Sequence, residues 1–581
     1  MGEQSYDETS HYLSTKIAPP LGELHEVVRG NDLVKLFMKV KKTMQTIPNN
    51  VSRVTQLLVE HNYEAFLVGG CVRDMIMNRI PKDYDITTNA TPEQIIAVFE
   101  PTGLRIVYEN NFGTVSIIFE DEDLASNVRE IQITPYRIEG SYSDHRHPDT
   151  VSFSETIHDD LSRRDFTINA LAYTINPSVS YLDSSPNLGE PNPSVDNLLH
   201  EQRKVAPPTL GGDVRRTEGV FENIIDLYNG QIDIQQKIIR AVGDPETRFR
   251  EDALRIMRAV RFATQLNFAV SRETLDAIVV TKHLLSEISV ERIRDEFIKI
   301  IDSPNPGLGM FFMKQLGLLE YVLPEIIPSI DCEQGGVHIY DVFDHLVYAC
   351  QHASDKGYSF HVKLSALFHD IGKPKTRRPG VKKAYTFYGH EVVGARIAKK
   401  IMERMKFPKH DSEQIEKFVR WHMFFSDTES ITLSAVRRMI ANVSVDDIWE
   451  LMKVRECDRV GMKKTEAPYR LRKYFAMIEE CLRDPISVKQ LVIDGNYLMN
   501  ELQVPAGRRM GWMLHALLQE VIEDPSNNTM QYLSNRVKQL EQLSDSELQV
   551  LGESGKEIKE QVDNAEVKML HVKHGVHKKH M

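Results

Sequence analysis

The chain has 581 residues, a formal net charge of −12 and five cysteines. That length suits three or four domains, and no stretch approaches the roughly 20 apolar residues of a membrane helix. The acidic balance excludes a uniformly basic nucleic-acid sleeve, so an RNA partner would need local basic patches.

The cysteines are scattered, odd in number and never paired as C-x-x-C, which points to reduced thiols and a cytoplasmic setting. The opening residues, Met1-Gly2-Glu3-Gln4-Ser5-Tyr6, show neither the regions of a secretory signal nor a Ser or Thr at position 6 for myristoylation. Residues 1–50 read as a polar extension ending in a short helix. Val51 to His61 reads as a helix, with Val51, Val54, Leu57 and Leu58 on one face.

The stretch from Phe66 to Asp85 carries the chemistry. Phe66-Leu67-Val68 is a short apolar run suited to a buried strand. Gly69-Gly70 then lets the backbone approach a bulky anion, and a helix starting near Cys71 presents free N–H groups to a phosphate. Arg73 adds a guanidinium within the first turn. If Asp83 to Thr87 is a strand, Asp83 and Asp85 share a face and repel unless a cation lies between them. Mg²⁺ fits, because it takes few protein carboxylates and fills its shell with water and phosphate. A phosphate cradle beside a metal clamp suits nucleotidyl transfer by two metal ions.

The block Gly69-Gly70-Cys71-Val72-Arg73-Asp74, followed by Asp83-Tyr84-Asp85, resembles the signature of class II tRNA nucleotidyltransferases (the CCA-adding enzymes) and bacterial poly(A) polymerases. Thr91 caps a helix with Pro92 at its first position. Leu104 to Tyr108 and Thr114 to Phe119 form a hairpin pattern, and Ile131 to Tyr136 a further strand. Where the family commonly carries a third acid, a Glu, this chain places Gln132, with Glu130 on the same strand face. The polar run from Arg137 to Pro148 is similar to the flexible loop of CCA-adding and A-adding enzymes, which the resemblance ties to the switch from CTP to ATP.

In Asp159 to Ala170, Leu161, Phe166 and Ile168 are core candidates. The resemblance gives Arg164 to a triphosphate or ribose; the bland alternative is an ion pair with Asp160 or Asp165. Residues 176–218, rich in Pro, Ser, Asn and Gly, read as an inserted surface loop. The resemblance implies that its ends lie close together.

Glu251 to Ala263 reads as one helix in which Asp252, Arg255, Arg258 and Arg261 form a polar ridge. Cytosine and adenine both present an amino donor beside a ring-nitrogen acceptor. An acid with an arginine matches that pair, whereas uracil and guanine would leave buried groups unpaired. Asp252 with Arg255 therefore suits selection of C and A by protein alone, and the E-D-x-x-R block matches the family's base-templating motif. Arg258 and Arg261 face phosphates or support the template. Ser289 to Phe297 continues the family pattern.

A second constellation follows: His345, His369-Asp370, His390, His422 and Asp458. An adjacent His-Asp pair with one His upstream and one Asp downstream makes a metal position, and His390 with His422 can hold a second ion. The set resembles the HD phosphohydrolase superfamily, implying divalent-metal-assisted hydrolysis of a phosphate ester. Lys373 to Arg378, with Lys382 and Lys383, is a basic patch nearby, suited to RNA backbone contact or to a solvated loop.

The expected fold class is α+β. A small N-terminal nucleotidyltransferase α/β head (residues 51–230) precedes an elongated all-α neck and body (231–335), an HD domain (336–470) and a helical tail (471–581) with a basic, His-rich end. The resemblance implies template-independent addition of CCA, from CTP and ATP, to the 3′ end of tRNA. Its nucleotide-binding residues are Gly69, Gly70, Arg73, Arg164, Asp252, Arg255, Arg258 and Arg261, and no membrane partner is expected. Three alternatives stay open: a poly(A) polymerase, an A-adding specialist, and an HD phosphodiesterase whose head is a non-catalytic RNA-binding module.

Overall fold

The computed structural model describes residues 47–109, 113–119, 128–139, 151–175, 223–335, 338–380, 384–423, 433–461, 469–482 and 491–574. The extension up to residue 46, the loop 140–150, the insertion 176–218, Lys382, Lys383 and the final residues 575–581 lie outside the described residues. Two compact units emerge: residues 1–327 with 401–408, and residues 328–400 with 409–581.

The first unit opens with α1 (Asn49–Glu60), whose Val51, Val54 and Leu58 are buried. Strand β1 (Phe66–Val68) is buried throughout and delivers the chain through Gly69 into α2 (Gly70–Ile76). Strand β2 (Asp85–Thr88) leads to α3 (Pro92–Phe99), where Thr91 and Gln94 form a reciprocal capping box. Strands β3 (Arg105–Glu109), β4 (Thr114–Ile118) and β5 (Glu130–Pro135) follow, and after the short pair β6 (Arg137–Glu139) and β7 (Val151–Phe153) comes α4 (Ile157–Ser162). Strands β8 (Leu171–Tyr173) and β9 (Ile224–Asp226) complete a seven-stranded sheet in the order β3-β4-β5-β2-β1-β8-β9. It is mixed: β2 and β5 run parallel, and the other neighbours antiparallel. Leu161, Phe166 and Ile168 are fully buried, as their apolar character predicts. The Thr174 N–H donates to the Asn223 carbonyl at 3.0 Å, so the chain leaves and rejoins the sheet at one place around the insertion.

Beyond the sheet the first unit is mostly helical. One correction applies to the helix read over Glu251 to Ala263. It is two helices, α5 (Pro245–Glu251) and α6 (Leu254–Leu266), broken at Asp252, whose backbone is extended (φ −139°, ψ 101°). Its carboxylate accepts the Leu254 N–H at 3.1 Å, which is how a short acidic side chain competes with helix continuation and starts the next helix instead. Buried residues lie all around α6, including Ile256, Met257, Val260 and Phe262, as befits an interior helix. The next long helix, α7 (Val290–Ile301), buries Ile293, Phe297 and Ile300 on one face together with Glu296.

The second unit is mostly helical. The helices that carry its polar cluster are α8 (Val342–Asp355), α9 (Phe360–Phe368), α10 (His390–Arg404), α11 (Lys409–Trp421) and α12 (Ile448–Cys457). Helices α8, α9, α11 and α12 share a core that includes Ala349, Val362, Ala366, Phe418, Leu451 and Val454. A separate core around Leu517, Leu533 and Leu540 joins α13 (Arg508–Glu523) and α14 (Met530–Leu540) to the 29-residue α15 (Asp545–Lys573). Close approach there depends on glycine: a Cβ on Gly555 would lie 2.3 Å from the His515 carbonyl oxygen. Among the described residues, no helix is long and apolar enough to cross a membrane.

Candidate functional site

In the first unit, the Gly69 turn, β2 and the segment Arg163-Arg164-Asp165 converge. Asp83 and Asp85 are exposed while Tyr84 and Ile86 between and beside them are buried, so the two carboxylates share the open face. The regular strand begins only at Asp85, and the alternation nonetheless extends back to Asp83. Although Asp85 keeps exposed surface, its crowded surround raises its carboxyl pKa above the ordinary range; Arg164 opposes that shift and Asp83 adds to it. Two acceptor-only carboxylates influence each other here, one of them also facing Arg164, and that donor set fits a hard divalent cation. Gln132 lies directly across from Asp85 in the β2–β5 register, putting a neutral carboxamide where a third acid would stand. Glu130 is held by the Ser116 hydroxyl at 2.7 Å.

Gly69 has φ +78° and ψ −131°, a conformation open to glycine. A Cβ there would also lie 3.0 Å from Arg164 Nη1, so the arginine crosses directly over the glycine turn. Arg164 donates to Asp160 at 2.9 Å, the ion pair that the sequence offers as its alternative, yet its buried Nε has no hydrogen-bond partner. Asp160 is fully buried and takes Arg163 on its other oxygen. Arg73 is anchored by Asp74 and by the Asn169 side-chain oxygen at 2.8 Å.

The expected base-reading residues abut this cluster. Arg255 is buried and donates to Glu251 (2.7 Å) and to the carbonyls of Arg248 (3.1 Å) and Arg163 (3.0 Å). Asp252 accepts from Arg292 at 2.9 Å. Arg258 pairs with Asp165 at 2.5 Å and Arg261 with Glu296 at 2.8 Å. The ridge is thus a set of inward ion pairs rather than an exposed salt-bridged face. Burial opposes ionisation of Asp165, but Arg258 and Asn169 outweigh it and bring its pKa to about 2. Burial and the neighbouring Arg258 charge lower Arg261 to about 10. The guanidiniums of Arg73, Arg258 and Arg261 all lie within 5.5 Å of the Phe262 ring centre. Glu296 went unremarked in the sequence; an acid on the same helical face as Ile293, Phe297 and Ile300 is the signal that marks it.

The second unit holds a denser arrangement. His345, His369, Asp370 and Asp458 converge, as do Asp370, His390 and His422, all buried, with Asp370 common to both groups. Each histidine turns Nδ1 to a backbone carbonyl: Val460 (3.1 Å), Ala366 (2.8 Å), Phe387 (2.7 Å) and Val419 (2.7 Å), respectively, for His345, His369, His390 and His422. A carbonyl only accepts, so Nδ1 carries a proton, and each ring in its neutral form presents the Nε2 lone pair inward. His345 Nε2 then stands 3.1 Å from His369 Nε2, and His390 Nε2 stands 3.1 Å from Asp370 Oδ1. Acceptors facing acceptors in a buried centre are what cations resolve, and the Nε2 atoms of His390 and His422 receive no hydrogen bond. The residues fit two divalent ions sharing Asp370. Gln334 and Lys373, which touch Asp370 or its partner, were not singled out as site residues, and no spacing rule would have found Gln334.

Residues 65–183 match a family model described as a poly A polymerase head domain, residues 267–330 one described as a probable RNA and SrmB-binding site of polymerase A, and residues 337–460 one described as an HD domain. The chain carries a poly(A) polymerase head domain and an HD domain. A Lactobacillus helveticus protein named CCA-adding enzyme is 40% identical over 291 residues, covering 49% of this chain and 57% of that protein. The CCA-adding enzyme of Enterococcus faecalis is 38% identical over 270 residues, 46% of this chain and 53% of that one. The chain thus spans about half the length of the curated relatives it matches. A solved structure of the Bacillus stearothermophilus CCA-adding enzyme in complex with CTP aligns over 84% of this chain and 97% of that one, at 23% identity and a TM-score of 0.48. The Gly69 turn, Asp83, Asp85 and Arg164 all fall within the polymerase head domain, and the buried His/Asp cluster within the HD domain.

Proposed function

We propose that this protein is a template-independent tRNA nucleotidyltransferase that adds CCA, from CTP and ATP, to the 3′ end of tRNA in the cytoplasm. The observation that carries the reading is the pair Asp83 and Asp85 on one open face, beside a glycine turn crossed by Arg164. Asp83 and Asp85 would hold Mg²⁺, whose charge would favour ionisation of the RNA 3′-hydroxyl and offset that of the leaving pyrophosphate. Gly69 and Gly70 bring the backbone close to the triphosphate, and Arg164 and Arg73 supply its positive charge. Asp252 keeps unused lone pairs for a base amino group, and Arg255 exchanges one of its present acceptors for the ring nitrogen of C or A. Arg258 and Arg261, paired with Asp165 and Glu296, hold α6 beneath the base-reading pair.

In the HD domain, His345, His369, Asp370, Asp458, His390 and His422 hold divalent metal for hydrolysis of a phosphate ester. The decisive variant is Asp83→Ala. It should abolish nucleotide addition and leave phosphate-ester hydrolysis intact; an Asp83→Ala protein that still extends RNA defeats the head assignment. Poly(A) addition is the second reading, favoured by the family of the head domain itself.

A further inference from the structure

The HD centre contains a cation of its own. The Lys373 side chain is 8% exposed, and its ammonium lies 2.5 Å from Asp370 Oδ2. Gln334 Oε1 accepts from the same ammonium at 2.6 Å, and the Phe387 ring lies under it at 5.6 Å. Gln334 is itself buried and is fixed by donating to the carbonyls of Tyr340 (3.3 Å) and Asp341 (3.2 Å). Asp370 Oδ2 is also the oxygen that faces His345 Nε2 at 3.4 Å and His369 Nε2 at 3.2 Å. The other carboxylate of that group, Asp458, pairs through its outer oxygen with Arg455.

The two metal positions are therefore unlike. At the first, formed by His345, His369, Asp370 Oδ2 and Asp458 Oδ1, one carboxylate oxygen is already taken by an ammonium and the second carboxylate is shared with a guanidinium. At the other, formed by Asp370 Oδ1, His390 and His422, the carboxylate oxygen is the one that faces the two histidines rather than the one paired with Lys373. A divalent ion entering the first position meets a like charge held a few ångströms away in a buried setting, where repulsion is poorly screened. We propose that Lys373 is a built-in counter-cation that selectively weakens metal binding at the His345–His369 position. The inference rests on the metal-binding reading of this cluster. It adds that Lys373 and its anchor Gln334 set the relative affinities of the two positions.

The test is a Co²⁺ titration of the metal-stripped full chain, followed by calorimetry and by visible absorption of the bound ion. Every protein carries Asp83→Asn and Asp85→Asn, so that the head adds no binding. Lys373→Met should tighten one Co²⁺ equivalent at least tenfold, about 1.4 kcal/mol, and leave the other within about threefold. The tightened equivalent should be the one that His345→Ala removes. Lys373→Arg keeps the charge and should bind as the parent does. If Lys373→Met fails to fold by circular dichroism, Gln334→Leu takes its place. It removes the anchor that presses the ammonium onto Asp370 and should tighten the same equivalent severalfold. Unchanged or weakened binding in these variants, while the parent binds Co²⁺, overturns the counter-cation proposal alone. Absence of Co²⁺ binding in the parent overturns the metal-binding reading and the proposal with it.

Discussion

Replacing Gly69 with alanine separates backbone strain from displacement of Arg164, the arginine proposed to bind the triphosphate. Two costs arise at Gly69. Its positive φ disfavours any side chain by about 1–3 kcal/mol, and the new Cβ would meet Arg164 Nη1 at 3.0 Å. The contact is cheap in stability, because the end of a long side chain can move. It is expensive in function if that end carries the triphosphate. Gly103 provides the control: its φ is +72°, yet nothing lies within 4 Å of the Cβ position. Both alanine variants should lose about 2 kcal/mol, a fall in Tm of roughly 4–8 °C for a unit of this size. Only Gly69→Ala should lose kcat/KM for CTP and ATP, by about 10–100-fold, the equivalent of one displaced charged hydrogen bond at about 1.5–3 kcal/mol. Steady-state kinetics below both melting transitions would read this difference. Equal kcat/KM losses in the two variants, or none in Gly69→Ala, would refute the role given to Arg164.

Three further outcomes follow from the charges. Asp165→Asn leaves Arg258, about a third exposed, without its buried partner and should destabilise the first unit by about 2–3 kcal/mol, measured by denaturant melts. The Asp165 carboxyl lies below its unfolded value, at about 2. Its stabilisation is therefore present above about pH 4 and lost as pH falls toward 2, and Asp165→Asn should flatten that part of the Tm–pH curve. The Asp85 carboxyl, already raised by burial, should rise further in Arg164→Gln and fall in Asp83→Asn, read by NMR titration of the metal-free protein. Asp370 serves both metal groups, so Asp370→Asn should lower bound metal at both positions in elemental analysis, and a chelator should stop phosphate-ester hydrolysis in the parent.

The strands and motifs of the head were legible because they are local. The Phe66–Val68 run, the Gly69-Gly70 turn and the Thr91-Pro92 cap each answer to a few adjacent residues, and the structure places all three as expected. The meeting of six His and Asp side chains in the HD domain was legible for another reason: the donors recur on helical segments in a recognisable order. The break at Asp252 was not, since helical periodicity on both sides hid a residue whose carboxylate accepts the first N–H of the next helix. Nor was the inward direction of Arg255, Arg258 and Arg261 visible. It depends on Glu251, Asp165 and Glu296, two of which reach the ridge from other segments. Lys373 looked like part of a basic surface run, and only the fold shows it buried between Gln334 and Asp370.

The most direct test of the central claim is extension of three tRNAs, ending before CCA, after C and after CC, by the purified protein with Mg²⁺, CTP and ATP. All three should be completed to CCA, and addition should then stop. Unlimited A addition to any RNA, or a single A added only to the CC-ended tRNA, would overturn the assignment.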